Sequence, residues 1–431
     1  MPKRTPLLIG AVCALALALP AVAGAVKPVP GQYIVVLEDG ASGHGVAAQH
    51  ARSAHADVLQ TYDAALHGYT ARLSAAGLAR VKADPRVKSV TQDVEGNPTF
   101  GQMLPTEVNR TDADLSPAAQ MSGDGTGTVN GDVAVYDTGI QTNHPDLTVA
   151  GGVNCLDSTD HYNDHTYGDQ YGHGTHVAGI IGAKDDGVGV TGEAPGVRLW
   201  SVRVLNSQAG GTASSQLCGI NWLTANGPSL GIKVVNASMA LFGKPEDGNC
   251  GYSAGDVLHQ AICKSAAAGI TWVFAAGNST LPITNLAGGG YNEVLTVTAS
   301  GDSNGQPNVA STQSFSCGSA IGGTSRKNTT TGTDDTYASF SDWAYTAAQQ
   351  AHTVAAPGVC IWSTFLNSGY GYLSGTSMSS PTAAGDVELC IVSGQCTGTT
   401  PQIIQKVVAD AASYNTVNPG YGFTGDPLHK P

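Results

Sequence analysis

At 431 residues, with 12% charged residues, 56 glycines and a net charge of −13, the chain has the make-up of a folded, turn-rich globular protein of two or three units. Its 41% hydrophobic content excludes a disordered chain. The acidic balance, with no basic run, excludes nucleic acid as a partner.

Residues 1–23 have the three parts of an export signal. Lys3 and Arg4 give a positive start, an apolar run of about 13 residues follows, and Ala21-Val22-Ala23 is an A-x-A cleavage site. The run is too short for a comfortable membrane span. No membrane attachment is expected after its removal, and the mature chain is expected to be secreted. Cys13 leaves with the signal. The other eight cysteines, Cys155, Cys218, Cys250, Cys263, Cys317, Cys360, Cys390 and Cys396, form an even set in an exported chain, which implies disulfides. Short loops favour Cys250–Cys263 and Cys390–Cys396; the full connectivity is not derivable from spacing.

After the signal, Gln32–Leu37 reads as a strand, residues 46–61 as an Ala- and His-rich helix, Gly68–Leu73 as a strand, residues 75–83 as a helix and Val87–Thr91 as a strand. These make a small α/β unit. Nine of the 20 basic residues but only seven of the 33 acidic ones lie before residue 98, and this shift places a boundary near Gly96-Asn97-Pro98. The expected division is therefore a signal at 1–23, a small α/β domain at 24–100 and a large domain at 101–431. In the large domain, apolar strands at Val133–Tyr136, Leu199–Leu205, Ile232–Asn236, Thr271–Ala275 and Val294–Thr298 alternate with helical stretches such as His176–Ala183 and Asp256–Ala268. That alternation implies a mainly parallel sheet covered on both faces, a three-layer α/β/α architecture. Residues 301–350, rich in Ser, Thr, Gly and Asp, read as a long surface excursion.

Four polar groups stand where an open parallel sheet collects its chemistry, at strand ends and helix starts. Asp137 follows the strand Val133–Tyr136, Asn278 follows the strand ending at Ala275-Ala276-Gly277, and His173 and Ser377 each open a helix. A helix start offers Ser377 free N–H groups and a positive dipole end, suited to a developing oxyanion. Pro381 is expected in or near the first turn of that helix, where it removes no needed N–H. A serine hydroxyl needs a base to act as nucleophile, and His173 is the natural one. Asp137 would fix its tautomer. His176, three residues on, opens a zinc-ligating HxxH alternative, but no third ligand is marked.

The chain order Asp137, His173, Ser377 is that of subtilisin. The phrases DTG at Asp137, GHGTHVAG at His173 and GTSMSSP at Ser377 resemble the three signature blocks of the subtilisin-like serine peptidases. The resemblance covers about residues 103–425, and the unit before it is similar to the inhibitor-type propeptide of those enzymes. It implies a secreted endopeptidase made as a self-processing zymogen, with Asp137, His173 and Ser377 as triad and Asn278 as side-chain oxyanion donor. It implies substrate-binding roles for Gly210, Gly211, Ser238, Met239, Ala240, Ala275, Ala276 and Gly277. Ala240 departs from the family's usual Gly, and Thr382 stands where a His is usual. It also implies a structural Ca²⁺ site, with carboxylates from Asp146 and Asp186 and carbonyls from Lys184, Val188 and Val190. The implied partners are protein and peptide substrates and the chain's own propeptide, around a monomeric enzyme with no cofactor for catalysis. Cleavage beside apolar or aromatic residues is expected. The competing classes are a non-catalytic binding protein on the same fold and an esterase using the same groups.

Overall fold

The structure is a computed structural model that describes residues 27–64, 66–95, 102–121, 127–156, 166–303, 305, 314–317 and 330–417. The export signal at 1–23 and the boundary at Gly96-Asn97-Pro98 lie outside the described residues. The chain forms two compact units, residues 1–101 and 102–431.

The first unit runs β1 (Lys27–Leu37), α1 (Gly43–Ser53), β2 (Asp57–Tyr62), β3 (Gly68–Arg72), α2 (Ala75–Lys82) and β4 (Val87–Glu95). Its four strands form an antiparallel sheet in the order β2-β3-β1-β4. Val35, Leu37, Val46, Tyr69, Ala71 and Val81 fill its core. The helix expected over residues 46–61 ends at Ser53. His55 then takes a left-handed φ of 51°, which turns the chain back into β2 beside β3. Helical composition continues past the point where sheet pairing takes over.

The second unit opens with α3 (Thr106–Arg110), β5 (Asp132–Asp137), β6 (Val149–Asn154), α4 (His173–Gly182), β7 (Arg198–Arg203), α5 (Ala213–Leu230) and β8 (Val234–Ala237). It continues with α6 (Val257–Ala267), β9 (Thr271–Ala275), β10 (Leu295–Gly301), β11 (Ser314–Cys317), β12 (Thr330–Thr333), β13 (Thr336–Tyr337), α7 (Ala347–Gln350) and β14 (Thr353–Pro357). It ends with β15 (Ile361–Phe365), β16 (Gly369–Leu373), α8 (Thr376–Val392) and α9 (Thr400–Val417). The main sheet has the order β13-β10-β9-β8-β5-β7-β6, with β14 also on β10. All its pairings are parallel except β10 with β13.

Side chains of a strand alternate between faces, so a strand buried on both sides feeds two cores. Val133 and Val135 of β5 join a core with α4 and α8; Ala134 and Tyr136 join the opposite core with α5 and α6. In β9, Val273 faces the first core while Trp272 and Phe274 face the second. The architecture is the three-layer α/β/α fold that the alternation of elements implied. Within the 301–350 excursion, β11 and β12 pair antiparallel and β13 adds an antiparallel strand to the sheet.

Four disulfides join Cys155–Cys218, Cys250–Cys263, Cys317–Cys360 and Cys390–Cys396. Both short-loop pairs are among them. A crosslink removes more unfolded-chain entropy the longer the loop it closes. We expect replacing Cys155 and Cys218 by serine, which frees a loop of 63 residues, to cost about 4 kcal/mol in urea unfolding. The same change at Cys390 and Cys396, a loop of six, should cost about 2 kcal/mol. Equal losses would contradict loop closure as the source.

Candidate active site

Asp137 is the last residue of β5 and fully buried. Its backbone carbonyl accepts the N–H groups of Val204 and Leu205, so the strand end is tied to the chain leaving β7. Its carboxylate takes the Thr138 N–H at 2.7 Å and receives His173 Nδ1 at 2.8 and 2.9 Å, one distance to each oxygen. His173 opens α4, with Gly172 at the cap in a left-handed conformation (φ 107°). Gly174 lets the helix come this close: a Cβ there would lie 2.1 Å from the Gly139 carbonyl oxygen and 3.2 Å from the Asp137 Cβ. The ring of His173 keeps 18% of its surface exposed, while Asp137 keeps none. Burial lowers the pKa of His173, but the charge and hydrogen bond of Asp137 and the charge of Asp169 outweigh it, and the net shift is upward.

Asp169 organises this corner, and no sequence signal marked it. One carboxylate oxygen accepts the N–H groups of Tyr171 and Gly172 and the Thr138 hydroxyl; the other accepts the N–H and hydroxyl of Thr175. The Thr138 hydroxyl in turn accepts the Gly174 N–H. A single carboxylate therefore caps α4 and braces the residue after Asp137. An Asp four residues before a helix-opening His was the available hint.

His176 serves another purpose. It is fully buried, and its Nε2 donates to the carbonyls of Gly371 at 2.9 Å and Ile361 at 3.2 Å. Burial drives its pKa down to about 3, so the ring is neutral. With Nε2 committed as a donor to the β15–β16 hairpin, His176 is a structural histidine.

Ser377 is the second residue of α8, and its hydroxyl donates to the Ser238 carbonyl at 3.1 Å. Pro381 is the sixth residue of α8, near the first turn as expected but deep enough that the helix does lose an N–H there. A proline inside a helix leaves the carbonyl four residues earlier without its N–H. That carbonyl belongs to Ser377, and it accepts the Ser238 hydroxyl at 2.7 Å instead. Ser238 also meets the Ser380 hydroxyl and the Asn236 amide at 2.9 Å each. The residue just beyond β8 thus grips both the hydroxyl and the carbonyl of Ser377.

Asn278 follows β9. Gly277 precedes it with φ 103°, where a Cβ would stand 2.3 Å from Asp342. The Asn278 side-chain oxygen accepts the Thr376 N–H at 2.9 Å and hydroxyl at 3.0 Å, and the Thr376 hydroxyl accepts the Gly277 N–H. With its oxygen so held, the amide turns its Nδ2 donor outward. A Cβ on Gly375 would meet that nitrogen at 3.3 Å and the Ser377 N–H nitrogen at 3.6 Å, so two donors flank one small space.

The structure brings Asp137 to His173, and Ser377 to Ser238 and Asn278, across the packed pair α4 and α8. Met239 is half-buried, and Ala240 is exposed with its carbonyl held by Gln216 at 3.2 Å. Ala275 and Ala276 are buried at the end of β9. Gly210 and Gly211 lie in a turn closed by Asn206 ahead of the Thr212 cap of α5, not in a regular strand.

Three of the residues expected as cation ligands, Asp146, Lys184 and Val190, are also tied together. The carbonyls of Lys184 and Val190 both accept the side-chain amide of Gln102, and the Gln102 oxygen accepts the Gly187 N–H. Asp146 holds the Val190 N–H and the Tyr370 hydroxyl with one carboxylate oxygen, while its other oxygen is buried with no partner. Burial, with the neighbouring Asp186 charge, raises the Asp146 pKa to about 7. An orphaned carboxylate oxygen beside carbonyls that are bridged only by an amide fits a hard, oxygen-seeking cation such as Ca²⁺. Gln102 is the member of this set that the sequence did not reveal.

Residues 130–424 match the subtilase family, and residues 32–96 match the peptidase inhibitor I9 family. The chain is 36% identical over 260 residues to subtilisin DY of Bacillus licheniformis, covering 60% of this chain and 76% of that one. It is 30% identical over 404 residues to a thermostable alkaline protease of Halalkalibacterium halodurans, covering 93% and 91%. To an alkaline protease of Alkalihalobacillus alcalophilus it is 30% identical over 317 residues, covering 74% and 67%. With its family match extending over most of the length, this chain belongs to the subtilase family of serine peptidases, with an inhibitor I9 domain ahead of the catalytic one.

Proposed function

We propose that this subtilase is exported and cuts proteins through an acyl-enzyme on Ser377, with His173 as base, Asp137 as its partner and Asn278 as oxyanion donor. The Asp137–His173 pair at 2.8 and 2.9 Å, across α4 and α8 from the Ser377 hydroxyl, carries this reading. His173 Nε2 takes the proton as the Ser377 oxygen leaves the Ser238 carbonyl and attacks the substrate carbonyl. The Ser377 N–H and Asn278 Nδ2 bind the oxyanion. His173 then protonates the leaving amine, and the amine departs. Water, deprotonated by the same ring, frees the acyl group and returns Ser377. Loss of one oxyanion donor costs about 10²–10³ in turnover, a magnitude measured on subtilisin itself.

The residues that flank this site carry substrate. Ser238, Met239 and Ala240 would line one side, Gly210 and Gly211 the other, with Ala275, Ala276 and Gly277 beneath, reading the peptide mainly by its main chain. No Asp or Glu stands among these flanking residues, which suits apolar or aromatic side chains. Residues 24–100 act as propeptide, chaperone and inhibitor of the domain at 101–431, and cleavage falls between Gly96 and Gln102. Ser377→Ala should leave the chain uncut and inactive, while active enzyme should begin within that window on N-terminal sequencing. Processing and proteolysis by the Ser377→Ala chain would overturn the assignment.

The pH profile tests the histidine. A base must be neutral, and the His173 pKa lies above its ordinary value of about 6.5. Activity should therefore fall as pH drops through a limb above that value. Asp137→Asn removes the two largest upward influences and should move the limb to lower pH, with a loss of about 10⁴ in kcat. An unmoved limb would show that another group titrates.

Ca²⁺ is the structural cation proposed for Asp146, Asp186, Gln102 and the carbonyls of Lys184, Val188 and Val190. When bound, it would neutralise the buried carboxylate and pin the loop after α4. Chelator should lower the melting temperature, and Asp146→Asn should abolish the difference. A melting temperature indifferent to chelator would remove the site.

A further inference from the structure

A second donor cluster lies apart from both sites already described. His259, in the first turn of α6, is fully buried. Its Nε2 stands 2.9 Å from Glu293 Oε2 and 3.6 Å from Glu246 Oε2, and the three ligand atoms all lie within 4.8 Å of one another. One ring N–H can serve only one acceptor well, yet two carboxylates converge on it. Its other nitrogen, Nδ1, is buried without a hydrogen-bond partner and faces Asp247 Oδ1 at 4.0 Å. Three carboxylates thus surround one imidazole, and even a protonated ring leaves an excess of negative charge.

The frame around the ring is rigid. His259 stacks on Tyr291 with ring centroids 3.8 Å apart and planes 5° from parallel. The Tyr291 hydroxyl donates to Asp256 at 2.7 Å, and Asp256 caps α6 through the Leu258 and His259 N–H groups. Glu246 is oriented by the N–H groups of Gly248 at 2.6 Å and Asn292 at 2.8 Å. The Cys250–Cys263 disulfide fastens the loop to α6, with Cys250 Sγ 3.5 Å from Glu293.

We propose that Glu246, His259 and Glu293 form a binding site for a divalent transition-metal ion of the Zn²⁺ class. Zinc bonds of about 2.0–2.1 Å to tetrahedral N and O ligands put neighbouring donor atoms about 3.3 Å apart. The distances of 2.9 and 3.6 Å straddle that value. Ligation through Nε2 requires the proton on Nδ1, the nitrogen that faces the Asp247 carboxylate at 4.0 Å, beyond hydrogen-bond distance but near enough for its charge to favour that tautomer. Two glutamates and a neutral imidazole balance a dication. Glu246 and Glu293 retain 17% and 27% of their side-chain surface, which leaves an entry path and a fourth position for solvent. The imidazole makes the site a poor one for Ca²⁺, which takes oxygen ligands. The ion would clamp the loop that leaves Ser238, Met239 and Ala240 onto α6.

The test uses the full chain carrying Ser377→Ala, which prevents self-cleavage, in saturating Ca²⁺ so that the Asp146 loop is filled. Calorimetric titration with zinc chloride should give one site per chain, and a hundredfold excess over Kd should raise the melting temperature on the order of 5 °C. Glu246→Gln with Glu293→Gln, and separately His259→Gln, should abolish both. Should these substitutions unfold the chain, Co²⁺ added to the unsubstituted side chains should give the visible absorption of a tetrahedral N/O site. Zinc binding that survives the substitutions, displacement by excess Ca²⁺, or no tetrahedral Co²⁺ spectrum would overturn the proposal.

Discussion

Burial of the central strands on both faces is the constraint on which the rest of this molecule depends. β5 sends alternate side chains into two separate cores, and β8 and β9 do the same. Such strands pair in parallel, and each must return through a helix on one face. The consequence is that β5, β8 and β9 end at one edge, where Asp137, Ser238 and Asn278 emerge within reach of the starts of α4 and α8. The reactive groups are held by short segments between rigid elements, so their positions derive from the cores rather than from the loops.

Two hydrogen-bond arrangements convert that rough proximity into defined geometry. Around α4, Asp169 satisfies N–H groups of the helix start and, through Thr138, fixes the residue next to Asp137. Around α8, Pro381 removes a helical N–H, and the Ser377 carbonyl it leaves free is bound by Ser238. A local defect in the helix thus becomes a tie between the helix and β8. Thr376 does similar work for Asn278, occupying its oxygen so that its nitrogen alone faces outward. In each case a polar group that would be costly to bury unpaired is satisfied by a neighbour from a distant part of the sequence.

Outside the reaction centre, concentrated carboxylates recur beside loops. Beside the loop after α4, the Asp146 carboxylate and two main-chain carbonyls bridged by the Gln102 amide bring oxygen acceptors together. The loop before α6 gathers Glu246, Asp247 and Glu293 about an imidazole. With so few charged residues in the chain, such groupings are conspicuous. Their different donor sets are the reason we propose cations of different hardness for them.

The sequence by itself determined the class of fold and marked the four groups that we propose carry the chemistry. Asp137, His173, Asn278 and Ser377 sit in local phrases whose residue types are required at strand ends and helix starts, and the alternation of apolar strands with helices implied the parallel sheet. Cys250–Cys263 and Cys390–Cys396 were legible for the same reason, since short loops leave little freedom. Residues 57–61 were misread as helix because composition there is ambiguous and only pairing with β3 resolves it. Pro381 was placed near the start of α8, but that it costs the helix an N–H was not legible, because helix starts are not marked to within a turn. Asp169, Thr376, Gln102 and the Glu246–His259–Glu293 group were decided by tertiary structure alone. Their roles come from partners that the chain brings back only after it has folded: Gln102 meets Lys184 across 82 positions, and Thr376 meets Asn278 across 98. Hydrogen bonding and metal ligation depend on distance in space, and a linear pattern carries that distance only when both partners lie within the same element.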